Sequence, residues 1–203
     1  MKADEVIRRH GCTTSMRMRQ ADVVPHFASA ASRAFVVLDI DGVLADVTHR
    51  LPYLTRRPKD WDSFFAAASA DPLLTAGAEL ARRVATTHRI VYLTGRPERI
   101  REVTAHWLRE KELPDGELLM RADTDRRPSR LMKVERLRRL GQRGIVDLVV
   151  DDDIAVVTAV RAAGFTVQQA DWMPTSPATD NDPDATLFDT AILSQAQGKL
   201  GRT

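Results

Sequence analysis

Residues 34–43 read AFVVLDIDGV, and their pattern indicates the class of fold. Its first five residues form an unbroken apolar run, which is typical of a buried strand in a parallel sheet. Asp39 and Asp41 follow at once, and side chains two residues apart at a strand end point the same way. Gly42 then lets the backbone turn sharply. The stretch therefore predicts a buried strand that brings a pair of carboxylates to one edge of a sheet.

Strand and helix patterns alternate downstream of this stretch. The predicted elements are helix 77–88, strand 89–93, a helix that begins near Pro97 and carries Trp107, strand 117–120, helix 129–140, strand 145–150, helix 154–163 and strand 165–167. Gly164 is expected to end the last of these helices as a left-handed cap. Repeated strand–helix units predict a three-layer, Rossmann-like α/β fold, with a parallel sheet and helices on both faces.

Length and composition fit one folded domain with tails. The chain has 203 residues, of which 43% are apolar, and a net charge of +2. Such a balanced charge does not by itself indicate nucleic-acid or membrane binding. The expected units are an N-terminal tail, a folded domain and a C-terminal tail, over 1–33, 34–172 and 173–203.

The segment 46–74 is predicted to form a small flap, not a full cap domain. It carries Trp61, Phe64 and Phe65 at positions i, i+3 and i+4, which indicates one short helix packed on the core. The tails show only weak helix signals, near 3–9 and 186–197. An open site beside a small flap would admit a bulky substrate.

Cysteine usage and hydropathy favour a cytoplasmic protein. Cys12 is the single cysteine, so no internal disulfide can form. No run approaches the roughly 20 apolar residues of a membrane span, and the N-terminus lacks the apolar core of a signal peptide. We therefore expect a cytoplasmic location and no membrane partner.

Polar clusters stand where the predicted strands end. In open parallel sheets, ligands bind at the carboxyl ends of the strands. The clusters are Asp39-Ile-Asp41-Gly42 after the first strand, Thr94-Gly95-Arg96 after the second, Lys133 in the helix after the third, and Asp151-Asp152-Asp153 after the fourth. Four segments that are far apart in sequence are thus expected to form one site.

The residue types in these clusters suit phosphoryl transfer. Asp39 can attack phosphorus through its carboxylate, and Asp41 can give a proton to the leaving oxygen and later take one from water. Grouped acids need a counter-charge, and carboxylate oxygens are ligands for a hard cation such as Mg²⁺. We expect Mg²⁺ to be held by Asp39, the backbone carbonyl of Asp41, and Asp151 or Asp152.

Two further side chains complete this expected site. Thr94 can donate a hydrogen bond to the transferring phosphoryl group, and Lys133 can offset its charge. Simpler interpretations stay open for neighbouring residues. Asp153 can act only as a helix cap, and Arg96 can pair with a surface acid.

The four segments resemble the motifs of haloacid dehalogenase-like phosphatases. The matching residues are Asp39-Ile-Asp41-Gly42-Val43, Leu93-Thr94-Gly95-Arg96-Pro97, Lys133 and Val149-Val150-Asp151-Asp152. The resemblance covers about 34–170, and an acid two residues after the nucleophile favours phosphatase or phosphomutase chemistry. It implies a Mg²⁺-dependent phosphomonoester hydrolase with an aspartyl-phosphate intermediate.

A narrower resemblance is to the phosphatase domain of polynucleotide kinase-phosphatases. It is carried by the TGRP motif, Thr104–Leu108, Leu118–Arg121, and Asp125 and Arg127 before Lys133. It implies 3′-phosphate ends of nucleic acid as substrate, with Gly95, Arg96 and Arg127 in substrate binding. The chain departs from that family at Ser129 and Arg130, where acids often stand, and it has no GxxxxGK[ST] loop of a kinase half.

The substrate therefore stays open at the level of sequence. The segment 121–143 carries nine basic residues against three acids, which can track a phosphate backbone or form a solvated helix face. The alternatives are a nucleotide or another small phosphoester and, in a different class, a phosphate-binding module without catalysis.

Overall fold

Five parallel strands form the centre of residues 34–173, the part of the chain that the computed structural model describes. They are β1 (Phe35–Leu38), β2 (Arg89–Pro97), β3 (Gly116–Arg121), β4 (Val146–Asp151) and β5 (Val167–Gln169). Their order across the sheet is β3-β2-β1-β4-β5, so the strand that precedes Asp39 lies in the middle. The backbone N–H of Asp39 still donates to the carbonyl of Val150, at 2.9 Å, which fixes the start of the following turn.

Six α-helices complete the described part of the chain. They are α1 (Pro52–Thr55), α2 (Trp61–Ala66), α3 (Thr75–Ala85), α4 (Arg101–Glu110), α5 (Ser129–Gly141) and α6 (Ile154–Ala162), with 3-10 turns at Thr48–Arg50, Ala67–Ala70 and Glu98–Ile100. None of these helices is long and apolar enough to cross a bilayer. The predicted tails, Cys12 and the weak helix signals near 3–9 and 186–197 lie outside the described residues, apart from Met173.

Alternation along β1 separates two hydrophobic layers. Val36 and Leu38 point to one face, where they pack with the apolar sides of α3 and α4, including Trp107. Phe35 and Val37 point to the other face and pack against α5 and α6. Because all four of these β1 side chains are buried, the strand carries no polar residue until Asp39. The three-layer α/β architecture predicted from the sequence is confirmed.

Several elements differ in detail from the sequence prediction. β2 extends through Thr94-Gly95-Arg96 to Pro97, because its pairing with β3 is interrupted after Leu93 and resumes where Pro97 lies opposite Arg121. β5 occupies Val167–Gln169 instead of 165–167, since Gly164, with φ of +88°, and Phe165 complete the turn after α6. Within α5, Leu131 is 51% exposed, whereas the next residue, Met132, is buried.

The flap, residues 46–74, contains two short α-helices where the sequence predicted one. Pro52 starts the additional helix, α1, at a position where proline needs no hydrogen-bond partner. The second helix, α2, is capped by Asp60 and buries Phe64 and Phe65 against α1. The guanidinium of Arg50, in the same segment, lies 4.1 Å from the centre of the Phe64 ring, so the aromatic cluster of the flap packs directly on a charged side chain.

Candidate active site

Strand ends and one helix bring the predicted residues to the C-terminal edge of the sheet. Asp39 follows β1, Asp151 ends β4, and Lys133 reaches the same edge from α5. Lys133 is 3% exposed, and its Nζ lies 2.6 Å from Asp39 Oδ2 and 2.6 Å from Asp151 Oδ2. Burial acts to lower the pKa of Lys133, but the charges of Asp151 and Asp39 outweigh it and raise that pKa. The lysine is therefore a permanent cation between the two carboxylates.

Three carboxylates converge beside this lysine. One oxygen each of Asp39, Asp151 and Asp152 lies within 4.8 Å of the others. Burial raises the pKa of Asp39 to about 7, against the opposing charge of Lys133. Burial, together with the charges of Asp39 and Asp151, raises the pKa of Asp152 to about 8. One ammonium does not neutralise two buried carboxylates and a third that is partly buried, so the set fits a hard divalent cation, whose charge would favour their ionised form.

Asp41 is held by two arginines instead of by the lysine. Arg50 Nη2 donates to its Oδ1 at 2.6 Å, and Arg96 donates to the same oxygen from Nε at 2.9 Å and from Nη2 at 2.6 Å. Burial acts to raise the pKa of Asp41, but Arg96 and Arg50 lower it to about 2. Every hydrogen bond described for this carboxylate within residues 34–173 ends on Oδ1. Oδ2 is thus the oxygen available to carry a proton.

A second buried acid, Asp71, joins the two arginines from the far end of the flap. Arg50 donates to it from Nε and Nη2, both at 2.8 Å, and Arg96 Nη2 donates to its Oδ2 at 2.6 Å. Trp107 fixes the backbone there, since its Nε1 donates to the Asp71 carbonyl at 2.9 Å. Asp71, Arg50 and Arg96 are each 0% exposed. We name Asp41, Arg50, Asp71 and Arg96 the buried ion cluster.

Sequence reasoning missed two members of the buried ion cluster. Arg50 and Asp71 lie in the flap, among residues with no strand or helix periodicity. Their partners are remote in sequence, so no local signal reports the contact. Arg96 was expected either to bind substrate or to pair with a surface acid, and the structure pairs it with two buried acids.

Gly42 is required by the geometry of the turn after Asp41. Its φ is +74°, in the left-handed region that favours glycine. A Cβ at this position would lie 2.0 Å from Oδ2 of Asp152. The DxDG turn and the second acidic cluster therefore pack so closely that no larger residue fits between them.

The cleft beside these residues is small. It has a volume of about 10 Å³, about the space of one water, and is lined by Asp39, Asp41, Gly95, Ser129, Lys133, Asp152 and Asp153. Thr94, by contrast, is fully buried, and its Oγ1 accepts a hydrogen bond from the Arg96 backbone at 3.2 Å. Ser129, which departs from the family pattern, stands in this cleft at 3% exposure.

Asp153 and Arg127 are held by contacts outside the group around Lys133. Asp153 caps α6, because its Oδ1 accepts from the backbone N–H of Ala155 at 2.8 Å. Arg127 is exposed on the surface and donates to Asp125 at 2.7 Å and to Glu135 at 2.5 Å. Its role in substrate binding stays a prediction.

Comparison with known proteins shows the family to which the chain belongs. Residues 33–172 match the family model of the polynucleotide kinase PNKP phosphatase domain, a haloacid dehalogenase-like group. A comparison with curated protein sequences returns no match. Among solved structures, a chain of the Pnkp1/Rnl/Hen1 RNA repair complex is 25% identical, with a TM-score of 0.59, over 68% of this chain and 42% of that chain.

A chain of another Pnkp1/Rnl/Hen1 complex structure is 26% identical, with a TM-score of 0.58, over 68% of this chain and 46% of that chain. The protein thus spans less than half the length of these two relatives. The family match, in contrast, covers most of this chain and contains all four motifs. This chain belongs to the family of polynucleotide kinase PNKP phosphatase domains, within the haloacid dehalogenase-like superfamily.

Proposed function

We propose that the protein is a Mg²⁺-dependent phosphomonoesterase that forms an aspartyl-phosphate on Asp39 and acts on 3′-phosphate ends of nucleic acid. The observation that carries the chemistry is the convergence of Asp39, Asp151 and Asp152 around Lys133. These residues combine a nucleophile with oxygen ligands for a hard cation and one fixed positive charge. The nucleic-acid substrate is supported by the family to which the chain belongs.

In the first step, a carboxylate oxygen of Asp39 attacks phosphorus and the ester P–O bond breaks. Lys133 offsets the negative charge of the phosphoryl oxygens, and Thr94 is proposed to hold one of them. Mg²⁺, held by Asp39, Asp151, Asp152 and the Asp41 backbone carbonyl, would act as a Lewis acid on the phosphoryl group.

The leaving oxygen takes its proton from Asp41. Because Arg50 and Arg96 occupy Oδ1, the proton is carried on Oδ2. A substrate phosphate, whose second pKa is about 6, can deliver that proton as its monoanion. The transfer is uphill, because the pKa of Asp41 is about 2, so Asp41 holds the proton only briefly and gives it up readily to the leaving oxygen.

In the second step, water attacks the aspartyl-phosphate at phosphorus. Asp41 takes the proton of this water, the acyl phosphate P–O bond breaks, and inorganic phosphate leaves. The carboxylate of Asp39 is restored, so the cycle consumes one ester and one water. Asp41 passes the proton of the water on to the departing phosphate, so each of the two aspartates returns to its starting state.

A small phosphoester is the second candidate substrate, and the surface charges favour it. Several arginines of the basic segment 121–143 are paired with acids of the same protein. Arg127 and Arg139 bind Glu135, and Arg143 binds Glu117. Paired arginines leave less positive charge for a phosphate backbone than the sequence alone indicates.

The test compares matched substrates under one condition. Oligonucleotides with a phosphate at the 3′ end or at the 5′ end, and a nucleoside 3′-monophosphate, are incubated with the protein and Mg²⁺, and phosphate release is followed. We expect the 3′-phosphorylated oligonucleotide to give the highest kcat/KM. Equal rates for both ends, or a mononucleotide that matches the oligonucleotide, would refute the nucleic-acid part of the proposal.

A further inference from the structure

A second cavity adjoins the catalytic cleft. It has a volume of about 360 Å³ and shares Gly95 as a wall with the cleft around Asp39. The cleft itself holds only about 10 Å³, so the organic part of any substrate must lie outside it. A volume of about 360 Å³ is in the lower range of small-molecule sites, roughly 300–1,000 Å³. The cavity is therefore placed and sized for the group that bears the phosphate.

Aromatic and proline surfaces form one part of the cavity wall. Trp61 and Phe65 of α2 line it, and Pro97 lines it from the end of β2. The two rings stack on each other, with centroids 5.7 Å apart and planes inclined by 27°. Arg99 lies over the Phe65 ring at 5.8 Å. Such a wall of rings and a guanidinium favours a flat, conjugated ligand.

The charged groups of the lining cancel. Four basic and four acidic side chains line the cavity, which gives a sum of zero. Some neutralise one another directly, as Arg99 does with Asp62 at 3.0 Å and with Asp123 at 3.7 Å. A neutral lining offers no net attraction for a run of phosphates, whereas its carboxylates can accept hydrogen bonds from hydroxyl and amino groups.

We propose that this cavity binds the terminal nucleoside of a 3′-phosphorylated strand, with its base against Trp61. The inference rests on the proposed function, because it places the scissile phosphate in the adjoining cleft at Asp39. Flat bases stack on aromatic rings, and sugar hydroxyls and base amino groups match the carboxylates of Asp62 and Asp123. The cavity has room for one nucleoside. The flap therefore recognises the terminal nucleoside of the strand and not its sugar–phosphate backbone.

The test uses a pair of 3′-phosphorylated dinucleotides. One carries a base on its terminal sugar and the other has an abasic terminal sugar. Stacking of a base on an aromatic side chain is worth about 1–3 kcal/mol, so we expect a KM about 5- to 150-fold lower for the substrate with the base. Trp61→Ala should bring the two KM values together, and Trp61→Phe, which keeps a ring in the flap, should retain part of the difference.

Tyr53→Ala is the matched control. Tyr53 packs in the same aromatic cluster of the flap but does not line the cavity, so its removal should leave the KM ratio unchanged. A wild-type KM that is equal for both dinucleotides overturns the inference, as does a ratio that Trp61→Ala leaves intact. Failure of the proposed function looks different, because neither dinucleotide would then be hydrolysed while a simple alkyl phosphate still is. If Trp61→Ala no longer hydrolyses either dinucleotide or the alkyl phosphate, the flap has unfolded. The KM ratio of Trp61→Phe then tests whether the base stacks on this ring.

Discussion

At the scale of single residues, Asp39 and Asp41 are expected to respond differently to the same change. Asp39→Asn removes the proposed nucleophile and should abolish turnover, because the proposed mechanism has no other group that attacks phosphorus. Asp41→Asn removes only proton transfer and should lower kcat by about 10²–10⁴-fold. Phosphate release and circular dichroism of both variants measure activity and fold. Near wild-type turnover by a folded Asp39→Asn variant would rule out the aspartyl-phosphate mechanism.

Gly42 offers a test of the packing between the DxDG turn and Asp152. Gly42→Ala places a Cβ 2.0 Å from Asp152 Oδ2 and forces a residue with a side chain into a φ of +74°. The displaced carboxylate should raise the Mg²⁺ concentration needed for half-maximal activity, by about 10-fold or more. Gly141→Ala is the control, since a Cβ there meets nothing within 4 Å. Equal Mg²⁺ requirements in the two variants would contradict the assigned role of Asp152.

At the scale of elements, the flap is tied to the core by charge. Asp71→Asn leaves the buried guanidiniums of Arg50 and Arg96 with one carboxylate, Asp41. Removing one partner of a buried pair costs about 3–5 kcal/mol, so we expect lower stability to urea together with lower kcat. Glu110→Gln is the control, because its half-exposed pair with Lys111 contributes little. Equal stability to urea and equal kcat in the two variants would show that the buried ion cluster does not hold the flap to the core.

The elements that the sequence predicted well are those with long or uniform patterns. The buried runs of β1 and β4 and the repeating apolar positions of α3 and α5 stand out without any knowledge of neighbours. In the flap, the spacing of Trp61, Phe64 and Phe65 indicated a short helix where α2 lies, whereas α1 has only four residues, too few to show a helical period. The shift of β5 arose because the turn after Gly164 uses Phe165, an apolar residue that also suits a strand.

At the scale of the whole molecule, Mg²⁺ should affect stability as well as turnover. A chelator should stop hydrolysis, and added Mg²⁺ should raise Tm, because a cation that binds only the folded protein stabilises it. Binding also relieves the repulsion among Asp39, Asp151 and Asp152. Asp152→Asn should diminish the shift in Tm. Full activity in excess EDTA, or a Tm that Mg²⁺ leaves unchanged, would exclude this metal site.

Salt should discriminate between oligonucleotide and small substrates. Each phosphate that a basic residue neutralises weakens binding by roughly one power of salt concentration. If Arg127 contacts the strand despite its pairs with Asp125 and Glu135, then Arg127→Ala should reduce the salt slope of the oligonucleotide KM by about one. Arg143→Ala, which breaks a similar pair with Glu117, should not. If Arg127→Ala leaves the salt slope of the oligonucleotide KM unchanged, Arg127 does not contact the strand and has only a structural role.

The sequence predicts those residues of the candidate site that come directly at or after the end of a strand. Asp39, Asp41 and Asp151 follow or end buried strands, and parallel topology alone brings them to one edge. Arg50 and Asp71 escaped prediction because only tertiary packing brings them to Asp41. The 360 Å³ cavity likewise arises from α2 standing opposite the end of β2, which no local pattern encodes.

Arg50 and Asp71 stand at the two ends of the flap and hold each other directly, at 2.8 Å. This ion pair therefore holds the two ends of the intervening residues 51–70 together, and it does not depend on the sequence between them. Loop length costs little once the ends are held together, so this segment is an interchangeable module. A longer or chemically different insert between Arg50 and Asp71 would change the surface beside the cleft and leave the phosphoryl chemistry the same. A library of such inserts is a direct route to altered substrate choice.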